Sequence, residues 1–369
     1  MSILAALAAI AVLAVLIVVH ELGHFMAARL QGIYANRFSL GFGPILWKYQ
    51  GPETEYAVRA FPLGGFVGFP DDDPDSEIPP NDPNLLRNRP ILDRAIVISA
   101  GVIANLVFAY GLLVLQAGTV GTPSFNYQPG VLIPQVASEN IVVAKEAGIK
   151  PGDVILAVDG KDLGDGLPAE NSLKKAIEQS PNKPIKLTIQ RDKQTLSIRV
   201  TPQPDQDGKG KIGVALNPNG EVVRQPARNP VEAFSKAADE YQRVTVLTAQ
   251  GFGKLVSNFR ETANQVAGPV EIVNIGAKIA RSAPADLFQF AALISINLAI
   301  INILPLPALD GGQLAFLLIE GVRGKPLPTE VQQNIMQTGL VLLLGLGIFL
   351  IIRDTANLVP TSWVQNLFQ

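Results

Sequence analysis

Long apolar runs punctuate this chain, and a stretch of short alternating runs separates the first pair from the second. Ile3 to about Leu30 opens with an almost uninterrupted apolar stretch as far as Val19. At 1.5 Å per residue it is long enough to cross a bilayer as a helix. Comparable runs cover Ala95 to about Ala117, Leu287 to Leu304 and Met336 to Ile352. The second contains Asn105 and several small residues, which suit close helix packing. Residues 32–69 are rich in glycine and aromatics, with β-prone runs at Ile45–Tyr49 and Tyr56–Phe61 on either side of Gln50-Gly51-Pro52. This pattern predicts a β-hairpin within about 41–66. It is too apolar for a simple solvated loop. One reading is a re-entrant hairpin lining a cavity, because irregular backbone at membrane depth needs shelter. The other is an interfacial hairpin that only packs.

The remaining pattern is that of an extramembrane part. Residues 70–90, rich in Asp, Pro and Asn, read as a solvated linker; Asp71-Asp72-Asp73-Pro74-Asp75 lacks the ligand spacing and glycine of a calcium loop. Residues 119–217 switch to short alternating runs with turns at Pro151-Gly152-Asp153, Asp159-Gly160 and Asp207-Gly208. Val154–Val158, Ile185–Gln190 and Leu196–Val200 are expected strands, and Ser172–Gln179 an expected helix. Residues 218–286 are polar with helical periodicity near Pro230–Lys254 and Val270–Arg281, a structural connector whose Phe234, Leu247, Phe252 and Leu255 could also pack on a membrane face. The expected architecture is an α-helical polytopic membrane protein of about four transmembrane helices, with an inserted α+β domain and a membrane-associated β-hairpin. Its divisions are 1–118, 119–217, 218–286 and 287–369.

Composition narrows the chemistry. Hydrophobic residues make up 48% of the chain and the formal net charge is −2, so a membrane protein is expected and nucleic-acid binding is not. The absence of cysteine excludes disulfides and thiolate metal sites. Any metal must then be held by histidine and carboxylate, and the chain has only two histidines, His20 and His24. They flank Glu21-Leu22-Gly23 at the end of the first apolar run. At i and i+4 on a helix both imidazoles project from one face and can bind one metal ion, with Glu21 in reach of a water on it. Two histidines, a glutamate base and an open position form a zincin arrangement, here continuing a membrane-spanning pattern. The first run lacks a basic n-region and a cleavage site, and it carries the motif, so it is expected to be retained. Ionisable groups at that depth are functional by default.

The third run leads into Asn302-Ile-Leu-Pro305-Leu-Pro307-Ala-Leu-Asp310-Gly311-Gly312. The prolines must break the helix, and the glycines permit unusual backbone around Asp310. Asp310 has two readings: third ligand for the two-histidine site, or N-cap of a helix over Gly311–Glu320. Four spans put both termini on one side. Arg29, Arg37, Lys48, Arg87, Arg89 and Arg94, with Arg323 and Lys325, mark the opposite side as cytoplasmic. The metal motif then opens toward the cytoplasm, and residues 119–217 lie outside it.

The stretch from Ala144 through Gly148-Ile-Lys-Pro-Gly152-Asp153 to Asp159-Gly160 closely resembles a PDZ domain of the bacterial protease type, which implies a groove for a peptide or chain terminus. His20-Glu21-Leu22-Gly23-His24 in the first span, this PDZ-like insert, and Asn302…Pro305-Leu-Pro307…Asp310-Gly311-Gly312 in order resemble the site-2 protease family over essentially the whole chain. That family consists of intramembrane zinc metalloproteases that cut transmembrane segments, such as those of anti-sigma factors, and remnant signal peptides. The resemblance implies Zn2+ on His20, His24 and Asp310 and Glu21 as catalytic base. It also implies substrate contact at Asn302, Pro305 and Pro307 and at Gly64 and Gly65 of the hairpin. It further implies transmembrane protein substrates already trimmed by another protease and a multi-pass location in a bacterial plasma membrane. The single PDZ-like unit is shared with cyanobacterial and plastid members. Gly268-Pro269-Val270-Glu271-Ile272 departs from the family pattern, which often has glycine where Glu271 stands. The competing class is a non-enzymatic metal-binding transporter or an anchored PDZ scaffold. It leaves Glu21 beside the metal position unexplained, and the chain lacks the internal repeats usual in transporters.

Overall fold

In the computed structural model, which describes residues 3–73, 76–137, 143–192, 194–205, 207–262 and 266–358, the chain forms two compact units. One comprises Met1–Gly121 with Pro226–Gln369, and the other is the insert Thr122–Gln225. The first unit opens with helix α1 (Ile3–Leu30), strands β1 (Arg37–Gln50) and β2 (Glu55–Gly68), and helix α2 (Ile91–Thr119). The two strands form more than one hairpin. Residues 45–50 pair antiparallel with 55–59, 55–58 run parallel to 37–40, and 37–40 pair antiparallel with 65–68. Each strand therefore folds back beside itself, giving four short segments with 45–50 and 65–68 at the edges. Gly41 and Gly43, both at φ 84°, supply the left-handed backbone that bends β1 between its two halves.

The segment between β2 and α2 is almost entirely exposed or half-buried, as expected of a solvated linker, but it is anchored at several points. Asp71 accepts hydrogen bonds from the Leu86 and Arg87 amides at 3.0 Å, Asp73 pairs with Arg37 at 2.6 Å, and Leu85 is buried. Asp71 and Asp73 are spent on backbone amides and an arginine, so they fasten this segment down, while Pro74 and Asp75 lie outside the described residues.

The insert contains β3 (Thr122–Leu132), a short α3 (Val143–Glu146), β4 (Val154–Val158), β5 (Lys161–Asp162), α4 (Gly166–Glu178), β6 (Ile185–Arg191), β7 (Gln194–Val200), β8 (Gln203–Pro204), β9 (Gly210–Lys211) and β10 (Asn217–Gln225). Its main sheet has the antiparallel order β10-β3-β4-β6-β7, with β5 beside β4. Alternation places Ile155, Leu187 and Ile189 on the inner face, where Ile133, Leu173 and Ile177 join them in one core. Helix α4 starts six residues before the expected Ser172, because Gly166 and Pro168 in its first turn disguise the periodicity. Residues 217–225, taken from the sequence as connector, pair with β3 and belong to this unit.

Buried Asp153 anchors the insert. It accepts both Arg191 Nε and an Arg191 terminal nitrogen at 2.7 Å and the Lys150 amide at 2.8 Å. Burial pushes its carboxyl up, but the Arg191 and Lys150 hydrogen bonds outweigh this and hold it below the usual range. The sign follows: a carboxylate depressed in the folded state stabilises above its unfolded pKa, near 4, and that contribution is lost as pH falls through the folded value. Asp153→Ala is expected to destabilise the insert by about 2–3 kcal/mol at neutral pH, and by progressively less in acid below about pH 4. Hydrogen exchange at the β4 and β6 amides of the full-length protein measures this.

The chain returns to the first unit with α5 (Pro230–Ser257), a short α6 (Phe259–Thr262), α7 (Pro269–Ser282), α8 (Leu287–Ile303), α9 (Asp310–Arg323) and α10 (Thr329–Leu358). Among the described residues, four helical segments are long and apolar enough to span a membrane: α1, α2, Pro284–Ile303 and α10. Asn229 caps α5 by accepting the Glu232 amide at 2.9 Å, with Pro230 in the first turn. Ala237 and Val244 of α5 pack with Ala109, Leu113, Ala292 and Ile296 of α2 and α8. Phe234 and Leu247, on the face expected to meet a membrane, stay exposed to the outside of this packing, with the Phe234 ring against Tyr110. Helix α7 lies against α1, where a Cβ on Gly276 would stand 2.9 Å from that of Ala9. Asp354 of α10 accepts the Glu271 amide at 3.0 Å and so caps the start of α7. Glu271 itself accepts from Asn274 at 3.1 Å, so the departure from the family pattern makes a local helix contact.

Candidate metal centre

His20 and His24 emerge one turn apart from α1, and Asp310 is the first residue of α9. The Pro305–Pro307 turn brings them together. Leu304 leaves the helix with extended backbone, Ala308 adopts φ 68°, and α9 starts immediately afterwards. Gly311 and Gly312 allow the start of α9 to press onto that turn: a Cβ on them would stand 2.1 Å from the Leu304 carbonyl oxygen and 2.4 Å from that of Leu306. The capping alternative for Asp310 does not describe its side chain. Leu309 is the N-cap residue, and Asp310 Oδ2 faces the imidazoles.

The three candidate ligand atoms form a nearly equilateral triangle. His20 Nε2 and His24 Nε2 are 3.2 Å apart, and Asp310 Oδ2 lies 3.2 Å from the first and 3.3 Å from the second. Ligands held at about 2.0–2.1 Å in a tetrahedral array stand about 3.3–3.4 Å apart, so this triangle is the size of one face of a zinc tetrahedron. Asp310 Oδ2 is buried and receives no hydrogen bond among the described residues. An unsatisfied buried carboxylate oxygen facing two imidazole nitrogens is costly without a cation between them. The donor set fits zinc, with a fourth position left for water or substrate.

Glu21 and the same ligands line a cavity of about 640 Å³. Gly64, Gly65, Asn302 and Asp310 contribute to its wall, and Asp71, Arg87 and Arg94 to its polar side. Gly65 meets Glu21 closely: a Cβ there would stand 2.8 Å from Glu21 Cγ and 2.9 Å from the Ser39 carbonyl oxygen. Only glycine lets the 65–68 edge approach the glutamate so closely. Asn302 Nδ2 lies 3.2 Å from His20 Nε2. Of the residues expected to touch substrate, Asn302, Gly64 and Gly65 are thus at the cavity. Pro305 and Pro307 shape the turn below it, with Pro307 packed against α10 at Gly339. Arg94, at the start of α2, holds both carboxylate oxygens of Glu320 near the end of α9 at 2.9 and 3.0 Å, which ties the Asp310 helix to the second span.

Three residues that the sequence did not single out for the site also stand at it. The Val97 carbonyl accepts from His24 Nδ1 at 2.8 Å, the Asn105 amide faces His20 Nδ1, and Gly101 lies between them. A spacing of four along α2 was the available signal, but a backbone carbonyl has no signature of its own.

The family model for peptidase family M50 matches residues 8–346. A Nostoc sp. protein whose name describes a zinc metalloprotease is 66% identical over 370 residues, covering 100% of both chains. The chloroplastic membrane metalloprotease ARASP of Arabidopsis thaliana is 51% identical over 344 residues, 93% of this chain and 76% of that one. The regulator of sigma-W protease RasP of Bacillus subtilis is 28% identical over 424 residues, 93% of this chain and 96% of that one. With the family model matched over residues 8–346 and a relative 66% identical over the whole length of both chains, the chain belongs to peptidase family M50, the site-2 proteases.

Proposed function

We propose that His20, His24 and Asp310 hold the catalytic zinc, that Glu21 is the general base, and that Asn302 and the 65–68 strand edge hold the substrate. As an M50 member the protein is a zinc metalloprotease that cleaves membrane proteins within the membrane. The observation that carries the residue assignment is the 3.2–3.3 Å triangle of His20, His24 and Asp310 beside Glu21 in one cavity. Zinc, when bound, acidifies its water and polarises the scissile carbonyl. The Glu21 carboxylate takes the proton of the attacking water and passes it to the leaving amide nitrogen. Once His20 Nε2 is committed as a ligand it no longer accepts from Asn302, whose amide is then available to a substrate carbonyl. A transmembrane helix hides its carbonyls in hydrogen bonds, so it must unwind locally before attack. The 65–68 strand, beside Glu21, pairs with 37–40 on one side and has no strand on its other side among the described residues, so the unwound stretch can lie extended along that edge.

The basic residues near the spans favour a cavity open to the cytoplasm, with the insert on the other side of the membrane. The insert's PDZ-like sequence supports a filter that admits substrates already shortened by another protease. Removing zinc from the full-length protein in detergent with a chelator is expected to stop cleavage of a transmembrane substrate, and adding zinc back to restore it. Cleavage that persists after metal loss would overturn the assignment. Replacing residues 122–225 by a short linker is expected to relax the preference for trimmed over untrimmed substrate at least severalfold. Equal loss on both, read as kcat/KM for each, would mark the insert as structural.

A further inference from the structure

We infer that α2 carries the outer shell of the metal centre and that Asn105 is a positioning residue whose amide oxygen accepts from His20 Nδ1–H. This rests on the reading of His20, His24 and Asp310 as ligands. Positions 97, 101 and 105 are spaced four apart and so lie on one stripe of α2. All three meet the histidines. The Val97 carbonyl takes the His24 Nδ1 hydrogen at 2.8 Å. A Cβ on Gly101 would stand 2.3 Å from His24 Nε2 and 2.8 Å from His20 Cε1, so bare backbone forms the wall behind both rings. Asn105, wholly buried, ends the stripe at His20.

The hydrogen-bond inventory assigns the role of Asn105. A histidine that offers Nε2 to a metal carries its hydrogen on Nδ1 and needs an acceptor there. Asn105 Nδ2 lies 3.4 Å from His20 Nδ1, long for a hydrogen bond, while Asn105 Oδ1 is buried and receives nothing among the described residues. An amide's oxygen and nitrogen are nearly the same shape and are told apart by their partners. Turning the amide over puts the oxygen against Nδ1–H, as the Nε2-ligating tautomer requires, and leaves the amide nitrogen in the position without a partner among the described residues, so the tautomer of His20 decides the orientation. The residue is fixed from behind, because the Asn105 carbonyl accepts Ser295 Oγ of α8 at 2.8 Å. Each histidine then has an acceptor from the same helix: a backbone carbonyl for His24 and a side-chain amide for His20. Helix packing alone, the expectation from the sequence, explains a buried asparagine but not the position of its amide.

The test uses the full-length protein in detergent, with zinc affinity measured by competition against a chromophoric chelator and the absorption spectrum of the cobalt-substituted protein as a second readout. Asn105→Leu keeps the volume and removes the acceptor, and is expected to weaken zinc binding by about 10–100-fold and to shift the cobalt bands. Asn105→Asp keeps an acceptor for Nδ1–H and is expected to stay within a few-fold of the unaltered protein. If Asn105→Leu does not fold, Asn105→Ala removes the acceptor in its place. An acceptor-free variant that binds zinc as tightly as the unaltered protein overturns the inference. So does an Asn105→Asp variant as weak as the acceptor-free one, since that would mark a packing or donor role. If the unaltered protein holds no stoichiometric zinc, the ligand reading itself fails, which is a separate and distinguishable result.

Discussion

Replacing Glu21 by glutamine is expected to lower cleavage of a transmembrane substrate by about 10²–10⁴-fold or more while zinc content remains stoichiometric. Glutamine keeps the size of the side chain and its place in the cavity wall but cannot take a proton. The packing at this point is tight, with the Gly65 backbone against Glu21 Cγ, and the isosteric exchange leaves that contact intact. The candidate ligand atoms belong to His20, His24 and Asp310, so on the proposed assignment metal retention has no reason to change. Cleavage against zinc content in the same preparation measures both halves. A Glu21→Gln protein with normal turnover would remove Glu21 from the role of base, and one that had lost its zinc would make Glu21 part of the metal's support.

Replacing Asp310 by alanine is expected to lose zinc as well as activity. It leaves two imidazoles and removes the one carboxylate of the triangle, so the affinity loss should exceed the roughly 10–100-fold that outer-shell losses cost. Asp310 is not the N-cap of α9, so the helix itself should survive the change. The Arg94–Glu320 pair near the other end of α9 and the contact of Gly312 with the Pro305–Pro307 turn also remain to hold it. Zinc measured after dialysis, together with helical content by circular dichroism, separates the two effects. Normal zinc content in Asp310→Ala would leave the carboxylate as a packing element, and the triangle would need another explanation.

Both residues stand out in the sequence as site candidates, for different reasons. The spacing of His20, Glu21 and His24 is a local rule of helix geometry, so it survives any fold. Asp310 was legible because a carboxylate among prolines, glycines and apolar residues has few places to find a partner. What was not legible depends on which surfaces meet. Asn105 read as a packing residue because nothing in its own helix reveals that His20 lies opposite. Val97 acts through a carbonyl that every residue has. The anchoring of the Asp-rich segment at 70–90 was not legible because composition reports polarity and not the hydrogen bonds that consume it, such as those of Asp71 with the Leu86 and Arg87 amides. The β1–β2 region read as a hairpin because local pattern shows strands and turns, whereas the parallel pairing of 37–40 with 55–58 is a register set by three dimensions.

The origin of the metal centre from opposite ends of the chain has a consequence for biogenesis. His24 and Asp310 are separated by 286 positions (310 − 24). At roughly 5–20 residues per second of synthesis, about 15–60 s pass between the emergence of the two, and α2, the insert and α5 to α8 are made in that interval. Until α9 has been made and seated, the two histidines lack their carboxylate partner. On the proposed ligand set, the nascent chain stays latent until the membrane part has closed around Asp310. A chain truncated before Asp310 should accumulate in the membrane as an inert fragment.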